Sequence, residues 1–353
     1  MNYKFVITGG GTGGHVFPAL AIAEELQSRG NSVLYVGSDR GMEAKLAPAR
    51  GIRFVAIRTG PVKNQKITRI LKTLFQLLGA TLWSAHTLRR EKIDAVVGVG
   101  GYVSVPMCLA GFLLRKPVFL QEQNVSVGIA NRFLGRISRK VFLGFPEACR
   151  YFNPGKCITT GNPIRKEFFA MPPSYNPQAK MLLILGGSQG ARSLNQAMIQ
   201  NLEKLSPEWT VVHQTGVSDV ESVRAAYAQN FRGKFEVLAF IEDIAAMMRR
   251  SSVVVSRSGA ITVSELVQIG RPTLFVPFPR QGQNDQTDNA QWVAGRGGAV
   301  VVEQGEGFVD RFWAAFSQMS APATLTRMAE SFSALRRPPA IASIGDQILK
   351  NLG

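Results

Sequence analysis

The chain has 353 residues, 45% of them hydrophobic, and a formal net charge of +17. This length is enough for two domains, and the apolar fraction excludes a disordered chain. Three cysteines without metal-ligand spacing (Cys108, Cys149, Cys157) argue against a zinc site and a disulfide framework, and they favour a reducing compartment. The longest nearly uncharged apolar stretch, VSVPMCLAGFLL, is too short to span a bilayer, so we expect a soluble or peripheral protein.

The positive charge is concentrated in the first half of the chain. Residues 1–161 hold 22 Lys and Arg against 8 Asp and Glu, whereas residues 162–353 hold 19 against 16. A basic half favours an anionic partner, such as nucleic acid, an acidic membrane or a phosphorylated ligand. Solubility alone is an equally good explanation of the charge.

Short β-branched runs alternate with helical stretches along the whole chain. In the first half they are KFVIT, SVLYVG, RFVAIR, AVVGVG, PVFLQE and KVFLGF, and in the second MLLILG, TVVHQTG, FEVLAF, SVVVSR, TLFVPF and AVVVEQ. Such alternation predicts an α/β fold with parallel sheets covered on both faces. The segment TTGNPIRKEFFAMPPSYNPQ is typical of a linker, so we predict Rossmann-like domains over 1–161 and 162–335.

Each half opens on a strand that runs into a glycine-rich loop and then a helix. The loops are GGGTGGH, from Gly9 to His15, and GSQG, from Gly187 to Gly190. Glycines let a backbone approach a ligand closely, and the helix that follows offers free N–H groups, which suits a diphosphate. The first loop also fits the dinucleotide pattern G-x-G-x-x-G. An NAD(P) oxidoreductase with Asp39 as its ribose-binding acid is therefore an alternative.

His15 stands where the first loop becomes a helix, so we expect it to face a ligand. A neutral imidazole there could take a proton from a hydroxyl nucleophile. Hydrogen bonding to a phosphate or to the backbone explains its position equally well. The other two histidines, His86 and His213, lack such a setting and are interpreted as structural.

Six motifs occur in order along the chain: GGGTGGHVFPALAIAEEL, GVGGYVSVP, QEQNVSVGIANR, TGNPIR, LGGSQGARSLN and RSGAITVSELVQIGRPTLFVPFP with NDQTDNA. Together they resemble the MurG family of N-acetylglucosaminyltransferases of peptidoglycan synthesis. The resemblance implies the GT-B fold, two Rossmann-like domains with parallel sheets facing a deep cleft. It also implies that the last helix, within 336–353, packs back on the N-terminal domain.

The activity implied by this resemblance is an inverting, β-1,4-forming hexosyl transfer. GlcNAc would pass from UDP-GlcNAc to the 4-hydroxyl of MurNAc in undecaprenyl-diphosphoryl-MurNAc-pentapeptide (lipid I), giving lipid II. No cofactor or metal is implied, and the sequence has no Asp-x-Asp motif. The implied catalytic residues are His15 and Glu122, and which of them is the base stays open.

The resemblance also implies a set of substrate-binding residues. They are Thr12, Gly13, Gly14, Asn124, Arg165, Ser188, Ile241, Ala260, Ile261, Thr262, Val263, Ser264, Glu265 and Gln286. Within the set, Thr12 to Gly14 would reach the donor and Asn124 would bind its GlcNAc. The alternative for Asn124 is a purely structural role, as a turn residue whose side chain hydrogen-bonds its own backbone.

The remaining implied contacts are to the nucleotide and the sugar. Arg165 and Ser188 would contact the diphosphate region, and Ile241 would meet uracil through its backbone. The segment from Ala260 ends at Glu265, whose carboxylate would accept both ribose hydroxyls, and Gln286 would contact the sugar. The structural alternative for Arg165 is a linker cation. For Glu265 it is a solvated helix acid or an acid that interacts with the dipole at the helix start.

Two positions depart from the family pattern. Asp285 stands where a histidine usually precedes the glutamine, and Val127 where a proline is common before Gly128. These departures concern the fine geometry of the sugar pocket.

The segment 63–92 predicts a long helix that docks on a membrane. Its core-facing residues are predicted to be Ile67, Leu71, Leu74, Leu78 and Leu82. The outward face is predicted to carry cations and a tryptophan, which suit an anionic lipid surface. The predicted membrane contacts are Lys72, Phe75, Leu77 and Trp83.

We therefore expect a peripheral enzyme on the cytoplasmic face of the bacterial plasma (inner) membrane. Its expected partners are UDP-GlcNAc, lipid I, anionic membrane lipid, and cell-wall synthesis and division proteins, with no nucleic acid. Another GT-B enzyme, such as a glycolipid synthase or a UDP-sugar epimerase, is the alternative within the fold. A basic nucleic-acid-binding protein is the alternative outside it, but the cations border an amphipathic helix rather than interleave with aromatic residues.

Overall fold

The computed structural model describes residues 2–57, 67–169, 175–187, 190–279 and 285–352, with the backbone alone for 67–74. The chain forms two compact units. Unit 1 comprises Met1–Ile164 and Pro339–Gly353, and unit 2 comprises Arg165–Pro338. The domain limits predicted at 161/162 and 335/336 stay a prediction.

Unit 1 is a parallel sheet with helices on both faces. Its strands are β1 (Lys4–Gly9), β2 (Ser32–Gly37), β3 (Arg53–Ala56), β4 (Ala95–Gly100), β5 (Val118–Glu122), β6 (Lys140–Leu143) and β7 (Cys157–Thr159). Its helices before the linker are α1 (Gly13–Ser28), α2 (Glu43–Ala49), α3 (Ile67–Arg90), α4 (Ser104–Leu113) and α5 (Ile129–Ile137). The strand order is β3-β2-β1-β4-β5-β6-β7, so the order reverses beside β1.

The central strands of this sheet are buried on both faces, as their continuous apolar sequences predict. Phe5 and Ile7 of β1 belong to one hydrophobic cluster with α1, whereas Val6 belongs to the other with α4. In register, Thr8 of β1 pairs with Gly98 of β4, and Val97 of β4 pairs with Phe119 of β5. The loops that follow β1, β4 and β5 therefore leave the sheet at the same edge.

Unit 2 repeats the arrangement with a second parallel sheet. Its strands are β8 (Met181–Leu185), β9 (Thr210–Gln214), β10 (Lys234–Leu238), β11 (Val253–Ser256), β12 (Thr273–Phe275) and β13 (Ala299–Val301), in the order β10-β9-β8-β11-β12-β13. Its helices are α6 (Arg192–Ile199), α7 (Val220–Asn230), α8 (Ile244–Arg250), α9 (Ala260–Ile269), α10 (Asp285–Ala294), α11 (Phe308–Met319) and α12 (Pro322–Ser331). Short 3₁₀ turns lie at Pro146–Tyr151, Pro154–Lys156, Lys166–Phe168, Pro177–Ala179 and Leu202–Lys204.

The last helix, α13 (Ala340–Lys350), packs on α1 of unit 1. Ile344 and Ile348 are buried in the same cluster as the core-facing residues of α1. Arg29 follows α1 and donates to Asp346 Oδ1 at 2.6 Å and to the Ala342 carbonyl at 3.0 Å. A side chain at Gly345 would begin 2.9 Å from that guanidinium, so the glycine allows this close crossing.

Cys149 and Cys157 form a disulfide in the structure, with their Cα atoms 5.9 Å apart. The sequence-based expectation of no disulfide is therefore wrong for this pair. The two residues are only eight positions apart and lie on a 3₁₀ turn and on β7, which a short loop brings together. Cys108 is free and buried, and burial raises the pKa of its thiol above the usual range.

The faces predicted for α3 are wrong for Leu78, Leu82 and Trp83, whereas Phe75, a predicted membrane contact, is 72% exposed. Leu78 and Leu82, predicted to face the core, are 56% and 63% exposed. Trp83, predicted to face outward, packs partly buried against the cluster around α4, and Leu77 is partly buried. Lys72 and the predicted core positions Ile67, Leu71 and Leu74 lie outside the described side chains. No described helix is long and apolar enough to cross a membrane.

His213 of β9 lies in a fully buried hydrogen-bond network. Its Nδ1 lies 3.1 Å from the Tyr227 hydroxyl and its Nε2 lies 3.1 Å from Asn195 Oδ1. Burial lowers the pKa of His213 from 6.5 to about 3, because a charged imidazolium is costly away from water. The interpretation of this histidine as structural agrees with its surroundings.

This network predicts an acid-sensitive unit 2. Between pH 6.5 and 3 the unfolded chain binds a proton that folded His213 does not. The free energy of unfolding therefore falls by about 1.4 kcal/mol per pH unit over that window. We expect His213→Gln to flatten the fall in urea midpoint between pH 7.5 and 5, followed by tryptophan fluorescence. His86→Gln, at an exposed position of α3, is the matched control, and an equal flattening there would contradict the assignment.

Candidate active site

The glycine loop after β1 leads directly into α1. Thr12 is the N-cap, with an extended backbone and no capping bond from its hydroxyl, and the first turn carries no acidic residue. The N–H groups at the start of a helix have no partner within the helix, and the helix dipole favours an anion there. Thr12, Gly13 and Gly14 are thus placed where an anionic ligand could be bound.

A buried carboxylate, that of Glu43, packs against this glycine loop. Glu43, at the start of α2, is fully buried, and its Oε1 accepts the Ser38 N–H at 2.9 Å. A Cβ on Gly10 would lie 2.2 Å from Glu43 Oε1, so a larger residue there would displace this carboxylate. The sequence analysis considered Asp39, which is exposed, as a ribose-binding acid and missed Glu43. Its position in GMEAKL gave no signal that distinguishes it from an ordinary helix acid.

His15 lies in the first turn of α1 against the loop that follows β4. Its Nδ1 lies 2.9 Å from Gln123 Oε1, just beyond β5. A Cβ on Gly100 would lie 2.9 Å from the imidazole ring, and Gly100 has a φ of +110°, which L side chains rarely adopt. Gly100 therefore makes the space that the ring occupies. The sequence reasoning missed Gln123, although it stands between Glu122 and Asn124 in the quoted motif.

Glu122 ends β5 and is 2% exposed. Its Oε1 accepts the Asn124 N–H at 3.0 Å, and its Oε2 accepts Asn131 Nδ2 at 2.9 Å. Burial raises the pKa of Glu122, while these donors and the nearby His15 oppose the rise. The carboxylate thus fixes the turn at Asn124 and holds α5 to the end of β5.

In unit 2 the structure pairs two of the predicted donor residues. Arg165 donates from Nε and from one terminal nitrogen to Glu265 Oε1, at 3.1 and 3.0 Å. Glu265 is buried on α9, and burial raises its carboxyl pKa to about 7, although Arg165 acts to lower it. The guanidinium lies 5.0 Å from the Phe168 ring centre and is half exposed.

The other predicted residues of unit 2 lie on α9, on α10 and after β10. Gly259 is the N-cap of α9; of the residues that follow, Ala260 and Val263 are buried, whereas Ile261, Thr262 and Ser264 are partly exposed. Ile241 is buried just beyond β10, and Gln286 of α10 accepts the Phe278 N–H at 2.9 Å through its Oε1. Ser188 lies outside the described residues.

Arg257 is a further cation at the end of a unit 2 strand that sequence reasoning missed. It follows β11 and donates to the carbonyls of Val276 at 2.9 Å and Pro277 at 3.1 Å, and to Ser193 Oγ at 2.9 Å. Burial lowers its pKa to about 10. The guanidinium therefore ties the turn after β12 to the start of α6, beside the second glycine loop.

Comparison with known proteins identifies the family. The family model of the glycosyltransferase family 28 N-terminal domain matches residues 5–143, and that of the C-terminal domain matches residues 181–337. The chain belongs to glycosyltransferase family 28. It is therefore a glycosyltransferase, and the dinucleotide oxidoreductase alternative falls away.

Full-length relatives place the chain in the MurG group of this family. A protein of Anaeromyxobacter sp. (strain Fw109-5) is 40% identical over 97% of this chain and 92% of its own length. One of Myxococcus xanthus (strain DK1622) is 37% identical over 97% and 91%. Both are named UDP-N-acetylglucosamine–N-acetylmuramyl-(pentapeptide) pyrophosphoryl-undecaprenol N-acetylglucosamine transferase.

A solved structure gives the same result. The crystal structure of MurG from Acinetobacter baumannii is 30% identical, covers 99% of both chains and superposes with a TM-score of 0.84. The family suggested by the motifs is thereby confirmed. The predicted α/β class, with parallel sheets in two units of the GT-B type, is confirmed as well.

Proposed function

We propose that this chain transfers GlcNAc from UDP-GlcNAc to the 4-hydroxyl of MurNAc in lipid I and so forms lipid II. The observation that carries the proposal is 40% identity, over 97% of this chain, to a relative named for this transfer. In the inverting reaction, the acceptor O4 attacks the anomeric carbon while the bond from that carbon to the β-phosphate oxygen breaks. The electron pair leaves with UDP, and a base takes the hydroxyl proton.

We assign the base to His15 rather than to Glu122. His15 is partly exposed at the start of α1, whereas Glu122 is buried with both oxygens occupied by donors. A base must reach the proton that it removes, and an engaged, buried carboxylate does so poorly. Glu122 instead positions Asn124, which would bind the GlcNAc. The glycine loop at Thr12 to Gly14 would hold a phosphate group through backbone N–H groups.

The proposed donor site lies in unit 2. The start of α9 presents N–H groups that would stabilise charge on the departing diphosphate, with Arg165 and Ser188 as further contacts. Glu265 would accept the ribose hydroxyls, Ile241 would meet uracil through its backbone, and Gln286 would contact the sugar. No metal ion or cofactor is part of this proposal.

The proposal is tested by the transfer of labelled GlcNAc from UDP-GlcNAc to a soluble lipid I analogue. We expect lipid II analogue from the wild-type protein, and a kcat about 10²- to 10⁴-fold lower for His15→Ala, because general-base catalysis contributes that much. UDP binding is expected to be unchanged, and His86→Ala serves as the control. No product despite tight UDP-GlcNAc binding would show that the acceptor is a different one. Near-wild-type turnover of His15→Ala would remove His15 as base.

Donor binding is expected to depend on pH through Glu265. A carboxylate accepts hydroxyl hydrogen bonds more strongly than a protonated carboxyl does. Because the pKa of Glu265 is about 7, UDP affinity is expected to fall as the pH drops from 8 to 6. Glu265→Gln should weaken UDP binding and remove much of that dependence, measured by calorimetry. Glu221→Gln, an exposed acid on α7, is the control, and an unchanged pH profile in Glu265→Gln would refute the assignment.

We further propose that α3 docks unit 1 on anionic membrane at the cytoplasmic face. Phe75, Leu78 and Leu82 lie three and four residues apart and are all exposed, which gives one apolar stripe. Arg89 and Arg90 at the end of α3 are exposed and would add attraction to anionic lipid. This stripe replaces Trp83 as the predicted membrane contact, because Trp83 packs on the core.

Vesicle binding tests this docking surface. Phe75→Ser with Leu82→Ser removes two exposed apolar side chains, so sedimentation with phosphatidylglycerol-containing vesicles is expected to fall at least about tenfold. Val217→Ser, equally exposed but in unit 2, is the control and should bind as the wild type does. If the double variant sediments as the wild type does, the stripe is not the docking surface.

A further inference from the structure

We propose that Gln123 is a positioning residue that keeps a proton on Nδ1 of His15, so that Nε2 is the nitrogen that accepts the substrate proton. The choice of His15 as base rests on the proposed function. The position of its proton does not, because it follows from hydrogen bonds inside unit 1.

The first step concerns the orientation of the Gln123 amide. Its Nε2 donates to the carbonyl oxygens of Val99 at 2.8 Å and Gln121 at 3.2 Å, and to the side-chain oxygen of Gln121. Backbone carbonyls only accept hydrogen bonds. A flipped amide would press its oxygen against them in a buried site, so the nitrogen stays where it is.

A second chain of contacts fixes the same orientation independently. Asn162 donates from Nδ2 to the backbone carbonyl of Gln123 at 2.9 Å, which can only accept. Its Oδ1 then faces Gln121, whose Nε2 donates to it at 3.1 Å. The side-chain oxygen of Gln121 consequently faces the amide of Gln123, which must donate to it from Nε2. Gly144 allows this arrangement, because a Cβ there would lie 2.3 Å from Asn162 Oδ1.

The consequence for His15 is a single neutral tautomer. With its nitrogen held by these acceptors, Gln123 presents its Oε1 to the ring, 2.9 Å from Nδ1. An amide oxygen accepts, so Nδ1 carries the hydrogen and the lone pair of the neutral ring lies on Nε2. A neutral amide fixes the tautomer without the strong charge stabilisation that a carboxylate would give the imidazolium.

The same logic gives the opposite result for His213 in unit 2. Asn195 donates from Nδ2 to the Thr215 carbonyl at 3.2 Å and to Asp219 Oδ2 at 2.8 Å, both acceptors. Its Oδ1 therefore faces His213 Nε2, which must donate, and Nδ1 accepts from the Tyr227 hydroxyl. One protein thus holds two buried or partly buried histidines in opposite tautomers, and each is an internal control for the other.

The test is ¹⁵N spectroscopy of the full chain labelled at histidine, recorded above neutral pH. The chain has only three histidines, so His15→Gln and His86→Gln assign every signal. In the wild type we expect the downfield resonance of an unprotonated ring nitrogen at Nε2 of His15 and at Nδ1 of His213. In Gln123→Met, which keeps the volume but lacks the amide, we expect His15 to become a mixture of tautomers while His213 is unchanged.

Kinetics supply a readout that a purely structural role would not move. Gln123→Met is expected to lower kcat at least about tenfold, with KM for UDP-GlcNAc nearly constant, because part of the 10²–10⁴-fold contribution of a positioned base is lost. Protonation of His15 at Nε2 in the wild type would overturn the proposal, even if no Gln123 variant folded. An unchanged tautomer in a folded Gln123→Met would also overturn it. Absence of lipid II formation by the wild type would refute the proposed function alone, since the tautomer is read without substrate.

Discussion

The parallel pairing of β1 with β4 and of β4 with β5 is the constraint on which the site around His15 in unit 1 depends. Parallel strands release their following loops at the same edge, so residues that are far apart in sequence meet there. The Thr8↔Gly98 register places the start of α1 beside the Gly100 turn, and β5 delivers Gln123 to the same edge. A slip of β4 that put Val99 in the place of Gly100 would bring a Cβ to about the position that lies 2.9 Å from the His15 ring.

Burial sets what the polar groups at this edge do. Gln121, Gln123 and Asn162 are nearly solvent-free, so each donor and acceptor must find a partner in the protein or cost free energy. Backbone carbonyls, which cannot change roles, anchor the network and leave each amide one orientation. The backbone carbonyls of β4 and β5 thus determine the orientation of the Gln123 amide, and the amide determines which nitrogen of His15 on α1 carries the proton. No charged group takes part in these hydrogen bonds.

The sequence was sufficient for the strands, the two glycine loops and the family, because these depend on local pattern and motif. It was insufficient wherever a second element decides the outcome. Helical periodicity predicts an apolar stripe on α3, but it does not predict which side of the helix α4 covers. Leu82 was therefore predicted to be buried and is exposed, whereas Trp83 was predicted to be exposed and packs on the core. Cys149 and Cys157 meet only because a 3₁₀ turn folds back on β7. Glu43 and Gln123 look like ordinary polar residues until β1 and β4 are placed beside them.

The same dependence on neighbours explains the pair formed by Arg165 and Glu265. Both side chains are implied in binding one donor, yet here they bind each other through a single carboxylate oxygen, Oε1. Burial makes the Glu265 charge costly, and the guanidinium offsets part of that cost. Because Arg165 is half exposed and Glu265 is not, the arginine is the partner that can turn towards a phosphate. If Arg165 turned towards the phosphate, the Glu265 carboxylate would be free to accept hydrogen bonds from the ribose hydroxyls. The nucleotide would then replace the hydrogen bonds from Arg165 with its own, and the buried carboxylate would not be left unpaired.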